Sequence, residues 1–160
     1  MSDAGTYTLV FAVPEAIAVE VGALGVRELP AGAYAYTGSA LGAGGFSRID
    51  RHRRVAAGEH DVRHWHVDYL GAHDAVSLAT VERLGGGRDE ECRLARAVAT
   101  GAPDGDPVPG FGASDCDCPS HLARFDAVAA AEEAVATAYD ELREVEEADE
   151  NRASDASNAR

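Results

Sequence analysis

An unbroken apolar run, Leu9 to Val13, ends "TYTLVFAV", residues 6–13, whose β-branched and aromatic side chains run up to Pro14 and predict a strand. A second extended stretch, Ala16 to Leu29, is interrupted at Gly22 and Gly25. After the turn "PAGA" comes "YAYTG", whose Tyr34 and Tyr36 point to one side of a strand. The three stretches predict an antiparallel meander. The loop "SALGAGG" then leads into "FSRIDRHRRVAAG", where Phe46, Ile49 and Val55 or Ala56 recur at helical spacing and turn inward. Ser47 and Asp50 carry the spacing of a capping box. Arg48 and His52 share one helix face, with Arg51 beside them.

Further along, "RHWHVDYLG" fits a strand by alternation and a helix by the spacing of Trp65 and Tyr69, and His64 and Asp68 share a face in either case. "AVSLATVERL" reads as a strand and "RDEECRLARAVATG" as a helix ended by Gly101 and Pro103. In that helix Leu94, Ala95 and Val98 cluster around the direction of Glu91. A carboxylate there is costly unless a cation or metal pairs with it, or unless its first-turn position lets it reach water and favour the helix dipole. "GAPDGDPVPGFGASDCDCPSHL" has the glycine, proline and aspartate content of a loop. Val128, Ala131, Val135, Ala138, Leu142 and Val145 then form a stripe on a helix expected over 126–148. Such a small-residue stripe suits packing on the parent domain, or a weak homodimer of otherwise monomeric chains. The expected organisation is a domain over 1–125, an acidic helix over 126–148 and a disordered tail over 149–160.

Charge changes this picture locally. The chain has 28 Asp and Glu against 14 positive residues, all of them arginine, for a formal net charge of -14. A carboxylate-rich surface stays hydrated and self-repelling in high salt, so the composition predicts a halophilic protein; an ordinary acidic protein from a GC-rich genome is the alternative. Yet residues 46–64 hold 5 arginines against 3 acids, a focused basic face suited to phosphate. Cys92, Cys116 and Cys118 are an odd number without framework spacing, which argues against disulfides and for a reducing, cytoplasmic setting. No apolar run is long enough to span a membrane, and the acid at Asp3 does not suit a signal peptide.

"GTY" at 5–7, "YTG" at 36–38, Arg48 followed four residues later by His52, and then "HWHVDYL", "EECRLA" and "GFGASDCDCPSHL" occur in one order. That order resembles the GIY-YIG nuclease superfamily, in particular its small stand-alone Uri-type branch, the domain of unknown function 123 family, over about Gly5 to Phe125. The resemblance implies an α+β fold, a small mainly antiparallel central sheet flanked by helices, and a metal-dependent endonuclease acting on nucleic acid, DNA ahead of RNA, in repair or processing. It implies that Glu91 holds one Mg²⁺ or Mn²⁺ and that Arg48 stabilises charge on the phosphate. It also implies that Tyr7 acts as base or positions water, that Tyr36 lies beside it, and that His52, with His64, moves protons. Gly38, Ser39, Arg51, Arg53 and Arg54 are then expected along the phosphate backbone.

This chain departs from the family pattern where Thr6 and Thr37 replace isoleucines and where the late asparagine has no clear counterpart, leaving Ser114 or Asp115 as substitutes. Two other readings stand beside the nuclease. One is a catalytically silent nucleic-acid-binding module. The other is a zinc site of Cys116, Cys118 and His121 completed by His64, His66 or Cys92, although C-x-C is tighter than usual zinc spacing.

Overall fold

The structure is a computed structural model that describes residues 5–21, 25–40, 45–58, 66–85, 91–102 and 120–158. Its elements run β1 (Gly5–Val13), β2 (Ile17–Glu20), β3 (Val26–Leu29), β4 (Gly32–Ser39), α1 (Ser47–Ala56), α2 (His66–Gly71), β5 (Ser77–Gly85), α3 (Glu91–Thr100), β6 (Leu122–Phe125) and α4 (Val128–Asn158). The fold is α+β. A four-stranded sheet has the order β5-β1-β4-β6, with every neighbouring pair antiparallel, and β2 and β3 form a separate two-stranded sheet. The expected meander is therefore corrected: β1 pairs directly with β4, and the glycine-interrupted stretch between them folds back on itself.

Alternation along β1 sets up two cores. Tyr7, Leu9 and Phe11 lie on one face with Tyr34 and Tyr36 of β4, and Ile49 of α1 and Leu70 of α2 cover them. Val10 belongs to the opposite face with Ala35, where Leu94 and Val98 of α3 and Val135 and Tyr139 of α4 close the layer. Each large apolar side chain buried in this way contributes about 1.5–3 kcal/mol relative to exposure. Both faces of the sheet are thus covered over β1 and β4, whereas the edge strand β5 stays partly exposed.

Three local expectations change. Ser47 is the first helical residue of α1 and Phe46 its N-cap, with no side-chain cap bond, while Asp50 faces Arg53 at 3.4 Å; the capping box does not form. The ambiguous segment is helical over His66–Gly71, and a short strand not expected from the sequence, β6, begins at Leu122, the last residue of the stretch read as loop, and runs to Phe125. The terminal helix extends to Asn158 rather than stopping at residue 148, because its alanine- and glutamate-rich sequence contains no glycine or proline to break it. Its stripe packs on the parent sheet through Ala131, Val135, Ala138 and Leu142, and Val145 is 40% exposed. Among the described residues no helix is long and apolar enough to cross a membrane.

Candidate functional site

Tyr7 and Tyr36 come from adjacent strands, and Gly38 is what lets them approach. A Cβ on Gly38 would lie 2.7 Å from the Tyr7 hydroxyl oxygen and 3.0 Å from Tyr36 Cε1, so the glycine supplies space rather than an unusual backbone angle. The two rings lie 6.4 Å apart between centroids. Gly5 has the same kind of role at the start of β1, where a Cβ would meet the Leu84 carbonyl oxygen at 2.0 Å. The glycines of "GTY" and "YTG" thus have steric reasons in this fold.

From α1, His52 turns inward with Ile49 and Val55 and is 3% exposed. Its Nε2 is 2.8 Å from Tyr7 Oη, and its Nδ1 is 3.8 Å from Asp68 Oδ1 of α2. A carboxylate on the Nδ1 side favours the proton there and leaves Nε2 to accept from the Tyr7 hydroxyl. Asp68 is 0% exposed and could not stay charged alone; Arg51 meets it with two parallel bonds of 2.9 Å, Nη1 to Oδ1 and Nη2 to Oδ2. The result is a chain Tyr7–His52–Asp68–Arg51 drawn from three elements.

Electrostatics fix the resting state of that chain. Burial pushes the His52 pKa down to about 4; Asp68 opposes the shift, and Arg51 and Arg48 add to it. The imidazole is therefore neutral at neutral pH. Burial pushes the Tyr7 hydroxyl well above its ordinary value, with Arg48 opposing and Glu91 and Asp68 reinforcing, so the resting group is a neutral phenol. Tyr36 is raised in the same direction, chiefly by burial and then by Tyr7 and Glu91. Arg48 donates from Nη1 to the Ser39 carbonyl oxygen at 2.7 Å, and its charge bears on both tyrosines. Ser39 thus contributes a backbone oxygen that steers the arginine.

Glu91 begins α3 with its side chain 19% exposed, and His121 answers the question of its partner. His121 Nδ1 is 2.6 Å from Glu91 Oε1, although the approach is off the line of a good hydrogen bond. The His121 side chain is 1% exposed, its Nε2 lies 3.7 Å from Cys92 Sγ, and its carbonyl accepts from Thr37 N–H at 3.0 Å. One residue at the entry to β6 therefore ties the start of α3 to the strand bearing Tyr36.

Tyr7, Tyr36, Arg48, His52 and Glu91 converge at one end of the sheet. Arg51, expected on the phosphate backbone, instead places its fork on Asp68. Arg53 and Arg54 stay exposed on α1. His64, Ser114, Asp115, Cys116 and Cys118 lie outside the described residues. The expectation of no disulfide is corrected, because Cys92 is disulfide-bonded. That bond removes its sulfur from any zinc site. Asp68 and the pairing of His121 escaped the sequence pattern; the available signal was a charged residue flanked by buried Val67 and Leu70.

Among the described residues no three His, Cys, Asp or Glu side chains are grouped to hold an ion. Glu91 alone still offers what a hard divalent cation accepts, a partly exposed carboxylate, since Mg²⁺ keeps most of its waters and is held through one or two such groups.

An antiparallel sheet with a tyrosine–histidine–carboxylate chain at one end, beside an arginine and a first-turn glutamate, defines the kind of protein this is in structural terms. The chain belongs to the family described as Domain of unknown function DUF123, which matches residues 6–144. No curated protein and no solved structure matches it.

Proposed function

We propose that this protein is a metal-dependent endonuclease of the GIY-YIG type that hydrolyses phosphodiester bonds in nucleic acid. The observation that carries the reading is the 2.8 Å contact between Tyr7 Oη and His52 Nε2, with Tyr36 and Arg48 beside it. Hydrolysis needs a water to lose a proton as it attacks phosphorus. Tyr7 is a neutral phenol whose proton can pass to neutral His52 while its oxygen takes the proton of the water. Both transfers are coupled, so no free tyrosinate has to form in a site that disfavours it. The imidazolium that results faces Asp68, which Arg51 holds in place.

Arg48 meets the charge that develops on the phosphate oxygens, a task suited to its fixed fork of donors. Mg²⁺ or Mn²⁺ held by Glu91 supplies Lewis-acid stabilisation of the phosphate and of the leaving oxygen. His121 keeps the Glu91 carboxylate oriented from behind. The basic face around α1 favours nucleic acid as the partner, and the acidic remainder of the chain limits the contact to a small footprint.

The test is cleavage of labelled single-stranded, duplex, flap and RNA substrates in high KCl with Mg²⁺ or Mn²⁺, comparing the wild type with Glu91→Ala. Cutting by the wild type that Glu91→Ala loses supports the reading and identifies the substrate. A folded wild type that cuts none of them, or a Glu91→Ala protein that cuts equally well, sinks it.

A further inference from the structure

Outside the tyrosine site, an open feature lies between α1 and β5, the strand at the edge of the sheet. A cavity of about 550 Å³ is lined by Phe46, Asp50, Arg53, Val81, Glu82 and Arg83. A second, of about 430 Å³, reaches down to Ser77 and Ala57 and shares Arg53 and Val81 with the first. Together they form one groove along β5 from Arg83 to Ser77, about 20 Å at the usual strand rise. Its upper end adjoins the candidate site, because Arg83 stands directly opposite Tyr7 in the β1–β5 pairing.

The lining has an aromatic ring and two arginines, Arg53 and Arg83, against two acids, Asp50 and Glu82. Asp50 is answered by Arg53 at 3.4 Å, and Glu82 by Arg143 at 2.9 Å. The Arg83 guanidinium lies 5.2 Å from the Phe46 ring centroid and forms no ion pair among the described residues. An exposed cation resting on a half-buried ring offers two things at once, a donor fork for a phosphate and a flat apolar surface for a base.

We infer that this groove binds the single-stranded nucleotides flanking the scissile phosphate. One base stacks on Phe46, taking the ring face that Arg83 now covers, and the Arg83 guanidinium moves onto the adjoining phosphate. The assignment of these nucleotides as flanking rests on the nuclease reading, whereas the binding itself can be measured without cleavage. A groove beside an edge strand could also accept an extended peptide as an added strand; the Arg83 guanidinium over the Phe46 ring and its place opposite Tyr7 favour nucleic acid.

The experiment is fluorescence anisotropy of the full chain with a short labelled DNA single strand in EDTA, at several KCl concentrations. Phe46→Leu should weaken binding at least about fivefold, the low end of what one stacked base contributes. Arg83→Gln should weaken it severalfold and reduce the slope of log K against log salt by about 0.7, the release expected from one phosphate contact on a single strand. Arg27→Gln, on the β2–β3 hairpin, should change neither. Arg83 is exposed, so its variant keeps the fold even if Phe46→Leu does not, and circular dichroism checks both.

Unchanged affinity in folded Phe46→Leu and Arg83→Gln overturns the groove, and Glu91-dependent cleavage measured in parallel then shows that the nuclease reading survives without it. Affinity that depends on both residues, in a protein that cuts nothing, upholds the groove as a nucleic-acid site and removes the nuclease. Binding of an extended peptide that protects the β5 amides from hydrogen exchange, without binding of the oligonucleotide, overturns the inference.

Discussion

Tyr7 and Tyr139 stand on opposite faces of the same sheet, and burial pushes both hydroxyls well above their ordinary pKa. Their partners differ. Tyr139 Oη is 2.9 Å from Thr8 Oγ1, which is itself 2.9 Å from Thr37 Oγ1, so three hydroxyls satisfy one another between α4, β1 and β4. Tyr7 Oη meets the imidazole of His52, with a carboxylate and a guanidinium behind it. A chain of hydroxyls can reorient its hydrogens but has nowhere to store a net proton near neutral pH. An imidazole has. Burial of a tyrosine is therefore not what marks a reactive site; the capacity of the group it touches is, and adjacent residues of one strand, Tyr7 and Thr8, serve the two purposes on its two sides.

The sharpest way to break this comparison is Tyr7→Phe. It should lower the cleavage rate about 100- to 10,000-fold, the usual contribution of a positioned proton-transfer group, with the circular dichroism spectrum unchanged. The next effect is on stability against pH. His52 takes a proton at about 4 in the folded chain and at about 6.5 when unfolded. Between pH 7 and pH 5 the unfolded chain binds this proton and the folded chain does not, so its contribution to stability falls by about 2 kcal/mol as the pH drops. Urea unfolding of the wild type against His52→Gln should isolate that slope, which the variant loses.

Comparable in size is His121→Ala, which should weaken Mn²⁺ binding about 10- to 100-fold by paramagnetic resonance titration, with His121→Asn recovering part of the loss through its retained donor. The smallest effect belongs to the opposite face. Tyr139→Phe should cost about 1 kcal/mol in urea unfolding and leave cleavage unchanged, because Thr8 keeps Thr37 as a partner. A Tyr139→Phe protein that stayed stable but lost activity would erase the distinction between the faces.

Much of this architecture could be read from the chain. Strands β1, β4 and β5 and helices α1 and α3 follow from residue type and periodicity, and Tyr7, Tyr36, Arg48, His52 and Glu91 are expected as site residues from the family resemblance that the order of the short motifs carries. What stayed hidden depends on contacts distant in sequence. Arg51 and Asp68 are 17 positions apart, and within "RIDRHRR" nothing tells Arg51, which turns onto a buried carboxylate, from Arg53 and Arg54, which stay in solvent. Glu91 reads as a buried-face acid in search of a partner, but His121 lies 30 positions on, near the end of the stretch read as loop, and the four-residue strand β6 that begins beside it is too short to stand out in the sequence. Helix α4 was underestimated for the opposite reason: charge suggested disorder where local propensity sustains a helix.

The contact between Thr8 and Tyr139 spans 131 residues. At about 5–20 residues per second, a ribosome makes the second of them roughly 7–26 s after the first. During that interval the growing chain acquires Tyr7, Tyr36 and His52 early, Glu91 midway, His121 late and the helix that covers Thr8 last. The order of synthesis thus puts the tyrosines in the chain long before the histidine that pairs with the glutamate, and the helix that covers Thr8 comes last of all.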